Sequence, residues 1–172
     1  MSADPPVDAG VAEAAAEPRP PARRACVVML GGHPFAVDVT EAREVIVLDV
    51  TTPVPGAPSA LVGVMNLRGS VLPVVEARPL LGLPVRGGLR ALVVADGDRR
   101  AAVMIEAVIG LAGFDDVAPL AGHEGVPAAL VRGRVTTESG ETVTLLDGPA
   151  LLAAARRAWN PGATSRTGHH GA

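Results

Sequence analysis

Short apolar runs rich in β-branched residues, broken at Gly, Pro and Asp clusters, recur along this chain and predict many short β-strands. Cys26–Leu30 and Phe35–Val39 form the first pair around Gly31-Gly32-His33-Pro34, with Phe35, Val37 and Val39 expected on one face. Thr40 is expected to cap one helical turn over Thr40-Glu41-Ala42-Arg43-Glu44, because a Thr N-cap and first-turn acids satisfy free amides. Val45–Val50 then resumes extended structure, and the prolines between Thr51 and Pro58 predict an irregular crossing loop. Strands are predicted at Ala91–Ala95 and Ala101–Ile105 about the turn Asp96-Gly97-Asp98, with short extended pieces at Val108–Leu111 and Val117–Leu120. Ala121 to Pro127 reads as a Gly/Pro loop, and Ala128–Val135 pairs with Thr142–Leu146 around Glu138-Ser139-Gly140-Glu141. The one well-marked helix is Pro149 to Ala158, with Pro near its start and Arg156 and Arg157 in its last turn.

The stretch from Leu61 to Leu83 organises the rest. Val62–Met65 and Val71–Val75 are strands, and Asn66-Leu67-Arg68-Gly69 supplies the turn, with Gly69 free to take positive φ. A short helical turn follows over Arg78–Leu83. Arg68 at the tip is held out on a rigid support. It is either a solvated turn residue, since lone surface charges add little to stability, or a contact residue, since a planar guanidinium meets a carboxylate with two parallel hydrogen bonds. Gly63 and Pro73 mark places where a strand is open or closely approached, because Pro cannot donate to a ladder.

An internal echo adds to this. Val74-Val75-Glu76 is followed by Leu80-Leu81, and Leu145-Leu146-Asp147 by Leu151-Leu152 at the same offset. Each set follows a hairpin whose turn contains Gly, Gly69 or Gly140. A strand, an acidic cap and a Leu-Leu helix occurring twice point to two related β-barrel units; the alternative is coincidence in an Ala/Leu/Val-rich chain.

Composition narrows the function. Of 172 residues, 48% are hydrophobic but only 2% aromatic, so the core is built from small branched side chains, which suits narrow barrels. The net charge is −3, and every Lys-or-Arg position is Arg. Without a basic stripe or stacking aromatics the chain is a poor nucleic-acid binder, and without Lys it has neither a Schiff-base amine nor a P-loop lysine. Cys26 is the single cysteine, so no disulfide framework or thiolate metal cluster forms, and its apolar run marks it as a small buried hydrophobe. No apolar run reaches the ~18 residues a membrane span needs, and acids and prolines occupy the N-terminus, so a cytoplasmic protein is expected. Met1 to Arg24, Pro-, Ala- and acid-rich, is expected to be a disordered tail, and 159–172 a flexible one. The P-x-x-P spacing at Pro18–Pro21 reads as linker composition, and His169-His170 lacks partners for a metal.

The chain contains no G-x-S-x-G, H-E-x-x-H, G-x-G-x-x-G or Walker motif. His33 and His123 lie in Gly/Pro turns away in sequence from any Ser or Cys nucleophile, and Asp115-Asp116 reads as a solvated loop. No enzyme is expected, and no cofactor or metal.

Phe35-Ala-Val-Asp-Val, Arg43-Glu44-Val45-Ile46, Pro53-Val-Pro55 with Pro58, and Val62-Gly63-Val64-Met65-Asn66-Leu67-Arg68-Gly69-Ser70-Val71-Leu72-Pro73-Val74-Val75-Glu76 together resemble the CheW-like domain of bacterial chemotaxis. Ala102–Val108 and Val143–Asp147 fall where that family has later strands, so the resemblance spans about Ala25 to Ala158. It departs at Glu76-Ala77-Arg78, where the family usually has Asp-Leu-Arg, and at Glu106, where it usually has Asp.

The resemblance implies a mainly β fold of two SH3-like five-stranded barrels with short helices and a C-terminal helix, forming one domain over 25–158. It implies an adaptor without catalytic activity that couples chemoreceptor cytoplasmic hairpin tips to the regulatory domain of a CheA-type histidine kinase, at membrane-bound arrays reached only through its partners. Carried over by motif, the partner-binding residues are Glu44, Val45, Gly63, Val64, Asn66, Leu67, Arg68 and Gly69, with Val108 near the receptor groove. Glu44 and Arg68 are expected to pair. A scaffold of a non-flagellar receptor–kinase pathway is the near alternative. A small β-barrel module binding a ligand or nucleic acid, and an enzyme site assembled around His33 or His123, are the distant ones. At this length a fused kinase or receiver domain is not expected.

Overall fold

A computed structural model describes residues 21–120 and 125–159. The N-terminal tail up to Pro20, His123, the tail from 160 onward and His169-His170 lie outside the described residues. Within them the strands are β1 (Arg23–Leu30), β2 (His33–Asp38), β3 (Ala42–Val47), β4 (Leu61–Leu67), β5 (Ser70–Val75), β6 (Arg90–Asp96) and β7 (Arg99–Ile105). They continue as β8 (Ala107–Phe114), β9 (Val117–Ala118), β10 (Val131–Thr136) and β11 (Thr142–Leu146), followed by helix α1 (Gly148–Trp159). Single 3₁₀ turns occupy Pro79–Leu81 and Ala128–Leu130.

The strands form two sheets, β8-β1-β2-β11-β10-β9 and β3-β6-β7-β5-β4. Each is a five-strand unit of the same design, and the two-residue β9 makes the sixth strand of the first. Each holds an antiparallel hairpin, β1–β2 or β6–β7, whose second strand runs parallel to the second strand of another hairpin, β11 or β5. The strand after each leading hairpin leaves for the other sheet: β3 pairs with β6, and β8 with β1. The echo of the sequence is therefore a repeat of β1–β5 in β6–β11, with one strand exchanged between the halves.

Both faces of the central strands are covered. Alternation sends Val28, Phe35, Val37, Leu92, Val94, Val103 and Ile105 into the largest core cluster, where the sheets meet under Leu151 and Leu152 of α1. Ala25, Val27, Ala36, Val143 and Leu145 face a second cluster within the first sheet. Met65, Leu72, Val74, Ala91, Val93 and Ala102 fill a third within the second sheet. Residues that could look out are thus apolar as well, as strands buried on two faces require.

Local corrections follow. Thr40 caps no helix: Asp38 Oδ1 accepts the Thr40 amide at 2.9 Å and its hydroxyl at 2.7 Å, forming a turn, and Ala42 to Val47 is a single strand that ends before Val50. β-Branched Val45, Ile46 and Val47 pairing with β6 outweigh the local capping signal. Val39 follows the end of β2 and is exposed, unlike Phe35 and Val37. β1 begins at Arg23, whose guanidinium meets Asp38 on β2 at 2.7 Å and lies over the Phe114 ring.

Candidate partner-binding site

After a bulge between Leu61 and Gly63, β4 and β5 stay in register to Leu67 opposite Ser70, leaving Arg68 and Gly69 as a two-residue turn. Their φ angles, +50° and +84°, are both positive, the pattern whose twist matches flanking antiparallel strands. Gly69 takes this at no steric cost; Arg68 is the one non-glycine with positive φ among the described residues. Asn66 Oδ1 accepts the Gly69 amide at 2.8 Å and locks the tip.

Arg68 then reaches across the sheet. Its Nη1 donates to Glu44 Oε1 at 3.0 Å and its Nη2 to Oε2 at 2.7 Å, a two-pronged pair. β3, carrying Glu44, and β4 are the two edges of the five-stranded sheet, so the sheet curls until a hairpin tip on one edge meets the other. The Arg68 side chain remains 76% exposed and that of Glu44 30%. Val45 and Val47 on β3 and Val71 on β5 are exposed apolar side chains of the same sheet. The expected Glu44–Arg68 contact is thus present.

The other expected residues divide. Leu67 is half-buried against the core inside this sheet. Gly63 is buried where Thr52 crosses: a Cβ there would lie 2.3 Å from the Thr52 carbonyl oxygen, and Val64 exchanges both main-chain hydrogen bonds with Thr52 at 2.8 and 2.9 Å. The β4 edge is closely approached at this point, not open. Val108 lies on β8, the edge of the other sheet, beside exposed Ile109 and Leu111, apart from the Arg68 cluster.

Two further charge clusters lie within the fold, the first at the far end of β5 from the Arg68 tip. Arg78 is fully buried; its Nε donates to Glu76 Oε1 at 2.6 Å, its Nη2 bonds Glu76 Oε2, and its Nη1 reaches Glu106 Oε1 at 3.1 Å. Glu106 also accepts the Gly31 and Gly32 amides at 2.7 and 3.0 Å, so the network joins the β1–β2 turn of one sheet to the exit of β5 in the other. Burial pushes the Glu106 carboxyl up, but Arg78 and the two amides outweigh it and hold it below its ordinary value. The Arg78 guanidinium is held charged chiefly by the Glu76 hydrogen bond. In the second cluster, Glu41 is bonded by Arg132 and by the Gly148 amide at the start of α1, yet burial dominates and raises its carboxyl above the usual range. Glu76 and Glu106 thus meet on one guanidinium. Sequence spacing gave no sign of that meeting, because Glu106 lies 28 residues beyond Arg78 in another connection.

His33 is exposed at the first residue of β2, and no group of three or more His, Cys, Asp or Glu among the described residues is placed to hold a metal. The family described as CheW-like domain matches residues 24–156. The chain is 41% identical over 54 residues to a chemotaxis protein CheW of Rhizobium meliloti, covering 31% of this chain and 35% of that protein. It is 33% identical over 88 residues to Protein PilI of Pseudomonas aeruginosa, covering 49% of each. The aligned stretches therefore span about a third to a half of these relatives' length. In three dimensions the fold is similar to the scaffolding protein TtCheW from Thermoanaerobacter tengcongensis, with a TM-score of 0.66 and 22% identity, covering 75% of this chain and 90% of that one.

Proposed function

Because the chain belongs to the CheW-like domain family, we propose that it is a non-catalytic adaptor that couples chemoreceptor cytoplasmic tips to a CheA-type histidine kinase by binding both. The observation that carries this reading is the Arg68 turn. A residue is held at positive φ at the tip of a stiff hairpin, fixed by a two-pronged bond to Glu44, and left largely exposed on a sheet that also exposes Val45 and Val71. Such a display suits small, reversible contacts, which gain strength when one adaptor bridges two partners and the second contact becomes effectively intramolecular. Asn66 and Gly69 set the turn, Gly63 lets Thr52 close on β4, and Val108 supplies a contact on the first sheet, away from the Arg68 turn. The adaptor works in the cytoplasm, at receptor arrays reached through its partners; no helix among the described residues is long and apolar enough to cross a membrane.

Charge reversal tests it. Arg68→Glu sets two carboxylates against each other at the rim, so pull-down of receptor and kinase regulatory-domain fragments drops by roughly tenfold or more while the circular dichroism spectrum is kept. Unchanged capture of both fragments removes the site assignment. The match to a relative called Protein PilI favours a second reading, the same coupling in a non-flagellar receptor–kinase pathway. Co-purification of the native protein with its kinase separates the two.

A further inference from the structure

A cleft of about 510 Å³ opens between the β4–β5 hairpin, the β6–β7 turn and α1. Val64, Pro73 and Val75 form one wall, and Leu152 and Ala155 of α1 the other. Its lining also includes Arg99 and Arg100 from the β6–β7 hairpin and Arg156 from α1, against a single carboxylate, Asp98. None of the three guanidiniums has an ion-pair partner among the described residues, although the same fold pairs Arg23, Arg68, Arg78 and Arg132. All three are exposed.

We propose that this cleft docks an acidic amphipathic helix of a partner protein, its apolar face between the hairpin and α1 and its carboxylates on Arg99, Arg100 and Arg156. Charge complementarity sets the acid content: three unpaired cations rimming an apolar floor favour a segment that brings apolar and anionic groups together, whereas a purely apolar or a basic segment leaves the cations unmatched. Main-chain chemistry selects a helix over an extended strand. The Val64 amide and carbonyl are both bonded to Thr52, Pro73 has no N–H, and the other wall is a helix. An extended peptide would find no main-chain partners at these positions and leave its own amides unpaired over an apolar floor; a helix satisfies its own.

The proposal does not rest on the Arg68 display, and one set of measurements separates them. The probe is a fluorescein-labelled synthetic peptide with Leu at i, i+3, i+4 and i+7 and Glu on both flanks; the control carries Lys in place of Glu. By fluorescence anisotropy the full chain binds the Glu peptide in preference to the Lys peptide, and more weakly as salt rises. Replacing Arg99, Arg100 and Arg156 by Glu weakens the Glu peptide at least about tenfold and strengthens the Lys peptide, whereas Arg68→Glu leaves both unchanged. Should the triple reversal fail to fold, the Arg99→Gln/Arg156→Gln pair gives the same ordering at smaller amplitude. Equal binding of the two peptides, dependence on Arg68, capture of phosphatidylserine vesicles without the peptide, or a concentration-dependent dimer that the reversal abolishes would each overturn it.

Discussion

Arg68 carries two opposed local energies. A side chain at φ +50° bears the left-handed backbone cost that glycine escapes, about 1 kcal/mol. Its bond to Glu44 returns at most about 1 kcal/mol, discounted because the guanidinium is 76% exposed. Stability alone therefore does not require arginine here, and glycine would fit the backbone at least as well. This predicts that Arg68→Gly leaves the urea midpoint of unfolding nearly unchanged, within about 0.5 kcal/mol, while capture of receptor and kinase fragments falls. A large loss of stability would mean that the arginine serves the fold rather than the surface. Positive φ at the second turn position was legible from Gly69; positive φ at Arg68 was not, because the two-residue register that demands it depends on how β4 meets β5.

At the scale of elements, the strands and hairpins were legible wherever a β-branched run met turn chemistry, as at Asp96-Gly97-Asp98 and Asn66 to Gly69. The turn at Thr40 was not, because capping residues and strand residues follow one another there and only the β6 partner decides between them. The helix after β11 was legible in its acid: Asp147 Oδ1 accepts the Ala150 amide at 2.9 Å, a true N-cap, while Oδ2 lies 3.3 Å from Arg132 Nε. Its counterpart in the first half, Glu76, instead accepts the Arg78 amide at 3.1 Å and holds the guanidinium as well. The same sequence motif thus serves a twelve-residue helix in one repeat and a three-residue 3₁₀ turn in the other. Removing the cap by Asp147→Ala should destabilise the protein by about 1 kcal/mol, read from the urea midpoint, and Asp147→Asn should restore most of it, since Asn caps as well as Asp. If Asn behaves like Ala, the contact with Arg132 outweighs the cap.

The whole molecule is held as one body by exchange. β3 and β8 each pair with the hairpin of the opposite repeat, the largest core cluster lies between the sheets, and Arg78 fastens the β1–β2 turn to the exit of β5 through Glu106. Contacts of that range, between loops remote in sequence, are what periodicity cannot register. They also fix how stability responds to acid. At Asp38, burial raises the carboxyl, but the Thr40 amide and hydroxyl and the Arg23 guanidinium together outweigh it and bring it below the ordinary value, as their counterparts do at Glu106. A carboxyl held lower in the folded state than in the unfolded chain contributes stability that is complete above its unfolded value, near pH 4, and disappears as pH falls through the lower folded value. Glu41, raised by burial, has the opposite sign: its contribution is present in acid and lost as pH rises through its folded value. Two lowered groups against one raised group predict a urea midpoint that drops between about pH 5 and pH 3. Glu106→Gln, which lowers stability at neutral pH by leaving the buried Arg78 short of an anion, should flatten that drop, because the group that titrates has been removed. A midpoint as steep in Glu106→Gln as in the parent would place the acid sensitivity outside the network that joins the sheets.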